Sequence, residues 1–337
     1  MSDVLLPLEE HRVHDVLAGA GRYTLCANDP PWSQLAHAVP RPERLILAGD
    51  MDLAQLERLV GDEPDGDVVI GLGGGSALDT AKFVAWKAGK RLVQIPSITS
   101  VDAAFTDAIG VRVERNVKYI GRIVPSLVVL DVDLIRSAPK RLNRSGVGDV
   151  LSCHTALFDW RLASSRGKGH GLDMSAVALG EALLAELEGA IDDVREVTAD
   201  AVRWLASAYR RIGARCTALG HSRFEEGSEH FLGYALEQLT GAHWLHGELV
   251  SLCVVAMSAW QRNAPDYTRE IVTRGAVCAN PLDLGIEREA FVAALVGLRD
   301  YVADRQLDHS IANEAPVSRA EAERLWALVG ALPRCAD

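Results

Sequence analysis

Three short segments of the chain carry side chains able to hold a metal ion. SGVGDVLSCHTALFDWRLA, residues 145–163, places Asp149 at the start of a helical stretch. GSEHFLGYALE, residues 227–237, places His230 on an amphipathic stretch. HWLHGELVSL, residues 243–252, sets His246 at the mouth of a strongly apolar one. One carboxylate and two imidazoles give three protein ligands and leave a coordination position open, which suits catalytic zinc and also Fe(II). A histidine at a helix start feels the positive dipole end, which favours the neutral imidazole a metal requires. His154, His221 and His243 compete for the same role, and spacing along the chain does not choose among them.

A second chemical signal is GLGGGSALDTAK, residues 71–82, which follows the apolar run DVVI and opens a helical pattern. Successive glycines let backbone N–H groups approach an anion, and the helix N-terminus adds partial positive charge. A pyrophosphate is the natural occupant, and a plain strand-to-helix turn is the alternative. The spacing is neither GxGxxG nor GxxxxGK[ST], so the two commonest phosphate-loop signatures are excluded. Asp79 and Lys82 fall on the first helical turns.

The elements that must position these groups change character along the chain. RYTLCAN (22–28), RLILAG (44–49), DVVIGLG (67–73), RLVQIP (91–96) and SLVVLD (126–131) are short runs closed by Gly, Pro, Asn or Asp and are expected to be strands. Amphipathic stretches such as 53–60 and 76–89 lie between them, and this alternation implies a doubly wound, Rossmann-like parallel sheet. Beyond Gly148 long Ala/Leu/Glu patterns dominate, for instance 178–194 and 199–213. The expected organisation is an α/β domain over 1–146 and an all-α metal- and substrate-binding domain over 147–337.

Composition narrows the function. The 337 residues are 48% hydrophobic and carry a formal net charge of −11, as in a globular protein with no basic block for gripping nucleic acid or anionic lipid. The most apolar run, Leu249 to Trp260, is too short to span a bilayer. The start MSDVLLPLEEHRVHDVL lacks the basic-then-apolar pattern of a signal peptide, and the six cysteines form no CxxC pair. A cytoplasmic protein with reduced thiols is expected, and exposed helical faces would suit a homodimer.

Four ordered blocks together resemble the iron-containing alcohol dehydrogenase and dehydroquinate synthase superfamily. They are GGGSALDTAK (73–82), IPSITSVDAAFTDA (95–108), VPSLVVLDVDLIRSAPKRLNRSGVGD (124–149) and HSRFEEGSEH to LHGE (221–248). Within it the chain is most similar to the glycerol-1-phosphate dehydrogenase and glycerol dehydrogenase branches. The resemblance implies a dehydroquinate synthase-like fold and a metal- and NAD(P)-dependent oxidoreductase acting on a small alcohol or polyol and its carbonyl. It implies that Gly73, Gly74, Gly75 and Ser76, with Asp79, hold the pyrophosphate, and that Thr99 and Ser100 border the nicotinamide-side phosphate and ribose. Asp29 would lie at the adenine ribose and Asp102 at the substrate hydroxyls. Asp149, His230 and His246 match the ligands of one divalent ion, zinc or iron. The proton leaves through water, the ribose hydroxyls or a residue such as His243.

The chain departs from its relatives at several points. Thr106 stands where a serine is common, and Tyr234 replaces the second histidine of a His-x3-His helix. Phe224-Glu225-Glu226 replaces a small, neutral stretch. Two carboxylates facing the pocket would repel a phosphate, so the native substrate is expected to differ from glycerol-1-phosphate. Two rival readings are a sugar-phosphate cyclase, suggested by Lys118 in VKYIGRIVP, and a non-catalytic dinucleotide-binding relative.

Overall fold

The computed structural model describes residues 3–60, 66–114, 116–314 and 316–335. The strands are β1 (Leu8–Glu10), β2 (Tyr23–Ala27), β3 (Arg44–Leu47), β4 (Val68–Gly73), β5 (Arg91–Pro96), β6 (Ala108–Val113), β7 (Asn116–Arg122) and β8 (Leu127–Leu130). Six of them form one parallel sheet in the order β1-β8-β5-β4-β2-β3, while β6 and β7 pair as a separate antiparallel hairpin. Central strand β4 is buried along its whole length, in register with β2 through Leu25 opposite Ile70 and with β5 through Ile70 opposite Val93. Such unbroken burial is what a parallel sheet covered on both faces requires.

Both coverings are present. On one face Val13 and Leu17 of α1 (Val13–Gly19) and Leu35 of α2 (Trp32–Leu35) pack on Leu25, Ile70 and Val93. On the other, Ala81, Val84 and Ala85 pack on Ile46, Val69 and Leu92. These alanines and valine belong to α4 (Gly75–Ala88), which follows α3 (Leu53–Val60); α5 (Val132–Ser137) comes after β8. The five strands expected from the sequence are all present. β1 has only three residues and no alternation, and the β6–β7 hairpin is interrupted by Gly110 and Gly121, so neither carries a strand signal. Gly121 has a packing reason: a Cβ there would stand 2.8 Å from the Trp86 ring.

The remainder is helical: α6 (Lys140–Arg144), α7 (Val147–Ser165), α8 (Met174–Glu196), α9 (Ala199–Leu219), α10 (Ser228–Thr240), α11 (His246–Gln261), α12 (Pro265–Arg274), α13 (Arg288–Asp304), α14 (Ile311–Glu314) and α15 (Arg319–Gly330). The chain divides into a unit of Met1–Pro139 with Thr198–Ala218 and a unit of Lys140–Val197 with Leu219–Asp337. The expected boundary at 146/147 did not include the return of α9 to the first unit. That return has a local cause. Tyr209 donates its hydroxyl to Thr99 O at 2.9 Å, and Gly213 lets α9 pass so close that a Cβ would stand 2.8 Å from the Phe105 carbonyl carbon. In the second unit α11 is buried on all sides from Gly247 to Ala259, as a core helix should be. No described helix is long and apolar enough to cross a membrane.

The expectation of uniformly reduced thiols needs correction: Cys278 and Cys335 are joined in a disulfide. Polar contacts bring the chain end back to the 278 loop, with Asn280 Nδ2 donating to Leu332 O at 2.6 Å and Cys335 N–H donating to Asp283 at 2.7 Å. A sequence separation of 57 hides this closure from the sequence. The other four cysteines lie outside this disulfide, and of them only Cys216 is not buried. Burial pushes the Cys26 thiol up to about 12 and those of Cys153 and Cys253 well above the ordinary value. In native protein near pH 8, DTNB is therefore expected to label Cys216 rapidly and the other three only on unfolding. Rapid native-state release of more than one thiolate equivalent would contradict this packing.

Candidate functional site

Asp149, His230 and His246 come together within the second unit, each offering one ligand atom, and these atoms lie within 4.8 Å of one another. Asp149 Oδ1 is 3.3 Å from His246 Nε2, and the two imidazole rings are 5.2 Å apart. Each residue sits in the first turn of its helix, Asp149 on α7, His230 on α10 and His246 on α11. Three helix N-termini therefore converge, and their partial positive charge offsets the local carboxylates.

The approach depends on Gly148. A Cβ on Gly148 would stand 2.8 Å from Gly247 Cα, so α7 and α11 cross backbone to backbone one residue from Asp149 and one residue from His246. Arg141 of α6 fixes the start of α11 with a fork on the buried Glu248, Nε to Oε1 at 2.6 Å and Nη2 to Oε2 at 2.9 Å. Such bidentate, charge-assisted pairs are directional as well as strong.

Two buried carboxylates hold α10. Glu229 accepts the Thr155 hydroxyl at 2.8 Å and lies 2.9 Å from His230 Nδ1, which leaves Nε2 of His230 for a ligand. Asp159 accepts the N–H of Ser228 at 2.8 Å and the N–H of Ile311 at 2.7 Å. Burial and the nearby Glu229 charge push the Asp159 carboxyl up to about 6, against the pull of those N–H bonds. For His230 burial favours the neutral ring. The hydrogen bond with Glu229 and the charges of Glu229, Glu226 and Asp149 outweigh it and push the imidazole up to about 9. A pocket this negative favours a cation, and the N, N, O donor set fits one divalent ion of the zinc or iron kind.

The competing histidines lie outside this cluster. His154 Nε2 is held 2.7 Å from Asn263 O, and burial lowers its pKa. His221 stacks on His170 at 4.1 Å and meets Trp160 edge-on. His243, expected as a proton carrier, is partly exposed with Nδ1 3.8 Å from Glu237 Oε1.

The glycine loop belongs to the first unit. β2 and β4 are neighbours, with β3 beyond one and β5 beyond the other, so their carboxyl ends form a topological switch point. There Asn28 Oδ1 accepts the Gly74 N–H at 2.8 Å while its Nδ2 donates to Ser76 Oγ at 3.0 Å. Ser97 N–H donates to Gly73 O at 2.9 Å, and the φ of +150° at Gly73 suits glycine alone. Helix geometry leaves the Gly75 and Ser76 N–H groups without intrahelical acceptors, a ready anion cradle. Thr99 and Ser100 are buried after β5, and Asp102 opens a 3₁₀ turn, Asp102–Ala104.

Other candidates are engaged elsewhere. Asp79 Oδ1 pairs with Lys82 Nζ at 2.9 Å, and the buried Lys82 also donates to Thr106 Oγ1 and Ala108 O, tying α4 to β6. Asp29 is exposed and its Oδ1 accepts the Ser33 N–H at 3.2 Å. Lys118 is exposed on β7 opposite Val111. Sequence reasoning missed Asn28, Glu229, Gly148 and Gly247. Glu229 sits inside the GSEH motif beside His230, and Asn28 directly ends a strand, so both had a positional signal.

Comparison with known proteins agrees with this architecture. Residues 32–139 match the family model described as iron-containing alcohol dehydrogenase. The chain is 30% identical over 262 residues to a glycerol-1-phosphate dehydrogenase [NAD(P)+] of Methanospirillum hungatei, covering 78% of this chain and 73% of that one. It is 31% identical over 269 residues to the enzyme of the same name from Hyperthermus butylicus, covering 79% and 75%. A probable glycerol dehydrogenase from Sinorhizobium meliloti shares the fold at a TM-score of 0.74 and 21% identity, covering 97% of this chain and 98% of that one.

The glycine contact is directly testable. Gly148→Ala is expected to force α7 and α11 apart and to lower stability by about 1–3 kcal/mol, the usual cost of overpacking. Thermal unfolding with and without the substitution measures it. An unchanged Tm would mean that the helices do not meet there.

Proposed function

Since the chain belongs to the iron-containing alcohol dehydrogenase family, we propose that it is a metal- and NAD(P)-dependent oxidoreductase interconverting a small alcohol or polyol and its carbonyl. The observation that carries this reading is the convergence of Asp149, His230 and His246 on one point. A divalent ion held by these residues would supply Lewis acidity to the substrate oxygen, and a bound dinucleotide would supply or accept hydride at nicotinamide C4.

The chain's own residues prepare for both. Glu229 fixes the His230 ring through Nδ1, and the Arg141–Glu248 fork holds the first turn that carries His246. The converging helix N-termini place partial positive charge where oxygen becomes anionic during oxidation. In the first unit Asn28 holds Gly74 and Ser76, so that the first-turn N–H groups of α4 are set for a pyrophosphate. Thr99, Ser100 and Asp102 belong to the same proposal as neighbours of the nicotinamide and the substrate hydroxyls, and Asp29 as a neighbour of the adenine ribose. Asp79 supports the loop through Lys82. His243 beside Glu237 is the proposed exit for the proton, and the cytoplasm is the proposed setting.

Two substitutions separate the parts. Gly74→Val would put a branched side chain where even a Cβ would stand 3.0 Å from Ile98 Cδ1 and where the pyrophosphate would approach. NAD(P) affinity should fall by about tenfold or more with the fold intact, as measured by fluorescence titration. Unchanged affinity would remove the loop from the cofactor site. His246→Ala should lose bound metal and turnover while keeping dinucleotide affinity. Metal analysis and NAD(P)H-coupled assays on polyols and aldehydes check this. Retention of stoichiometric metal at near-normal rate would reassign the ligand. Phosphate release from a sugar phosphate without net cofactor turnover would favour the cyclase instead.

A further inference from the structure

We propose that Glu226 is the specificity-determining residue of the Asp149–His230–His246 site, selecting polyols and hydroxyketones that carry no anionic group and turning phosphorylated ones away. The inference rests on the dehydrogenase reading above and names its substrate class.

Tyr234 lies one turn after His230 on α10, so the two side chains share a face, and their ring centroids are 6.1 Å apart. Helical side chains lean toward the helix N-terminus, which carries the Tyr234 hydroxyl back to Glu226. That hydroxyl donates to Glu226 Oε1 at 2.8 Å, and the Ser222 hydroxyl donates to Oε2 at 2.6 Å. The backbone beneath is also pinned. Glu226 N–H donates to Ser222 O at 2.8 Å, and the Glu226 carbonyl accepts from Arg223 Nη1 at 3.3 Å. Arg223 is the neighbouring cation, but its guanidinium serves that carbonyl and His309 O and lies 3.9 Å from Asp308.

The carboxylate is therefore held in place by two uncharged hydroxyls that do not neutralise it. Each of its oxygens keeps acceptor capacity for a further donor. Asp149, Glu229 and Glu226 all act electrostatically on His230, and a divalent ion held there would leave the three carboxylates and the ion one charge negative in sum. A phosphate dianion entering there meets like charge in a half-buried setting, whereas a hydroxyl of a neutral polyol can donate to Glu226 in place of water. Glu225 is buried and acts electrostatically on Cys153 of α7, so of the two glutamates that interrupt this stretch it is Glu226 that flanks the His230 face.

The test uses metal-loaded enzyme and two probes. Inorganic phosphate is titrated calorimetrically into wild type, Glu226→Gln and Glu226→Asp, and kcat and KM are measured for dihydroxyacetone and dihydroxyacetone phosphate. Wild type is expected to favour dihydroxyacetone. Glu226→Gln should raise the phosphorylated-to-neutral ratio of kcat/KM by about tenfold or more, chiefly through KM, and should tighten phosphate binding by about fivefold. Glu226→Asp, which keeps the charge, should behave like wild type in the phosphate titration. Phosphate affinity of Glu226→Gln within about twofold of wild type would overturn the proposal, as would a wild-type preference for the phosphorylated ketone. So would a Glu226→Asp protein that matches Glu226→Gln, because the effect would then be structural. Failure of the wild type to reduce either ketone counts against the dehydrogenase reading, while the calorimetric comparison still decides the role of Glu226.

Discussion

Where α7 crosses α11, Gly148 lets the main chains touch, and the Asp149–His230–His246 cluster of the second unit is arranged around that contact. A helix pair normally stands 8–10 Å apart because side chains fill the space between axes. Gly148 removes the side chain that would meet the Gly247 backbone at the crossing, one residue before Asp149 and one residue after His246. The backbone contact thus also brings a carboxylate and an imidazole, Asp149 Oδ1 and His246 Nε2, to 3.3 Å. α10 then needs only to deliver His230 from a third direction. Glu229 and Asp159, both fully buried, fix its first turn. The buried charges are satisfied by Thr155, by main-chain N–H groups and by His230 itself, as low-dielectric burial demands.

The first unit reaches its geometry by another route. Parallel strands buried on both faces leave only their carboxyl ends open to ligand, and the strand order sets the opening between β2 and β4. Asn28 bridges that gap with one side chain, accepting from one residue of the glycine loop and donating to another. The loop is thereby ordered by a neighbouring strand as well as by its own glycines. α9, packed on the same unit, supports the segment after β5 through Tyr209 and the close passage at Gly213.

How much of this was legible in the sequence follows from what each feature needs. Strands β2, β3, β4, β5 and β8 announce themselves by apolar runs with punctuation, and the glycine loop by its composition. Asp149, His230 and His246 could be named from the resemblance, but their convergence is tertiary, and His154 or His243 looked as suitable until Asn263 and Glu237 were seen beside them. Gly148 and Gly247 carry no sequence signal of the contact, because a close crossing leaves no periodic trace in either helix alone. The return of α9 was hidden for the same reason: its amphipathic pattern states that a face is buried and not against what. The Cys278–Cys335 bridge depends on loop closure over a span in which no local rule applies.

Asp159 carries a consequence for the far end of the chain. Its two oxygens accept from Ser228 at the start of α10 and from Ile311 at the start of α14, so one buried carboxylate is shared by the His230 helix and a segment more than 80 residues later that provides no ligand. Ligand binding stabilises whatever opens together with the site. An ion held by His230 should therefore slow amide hydrogen exchange around Ile311 as well as along α10. A truncation before that segment would leave Asp159 half-satisfied and the α10 N-terminus less firmly capped. The start of α14 would then be a remote brace whose protection reports on occupancy of the proposed site.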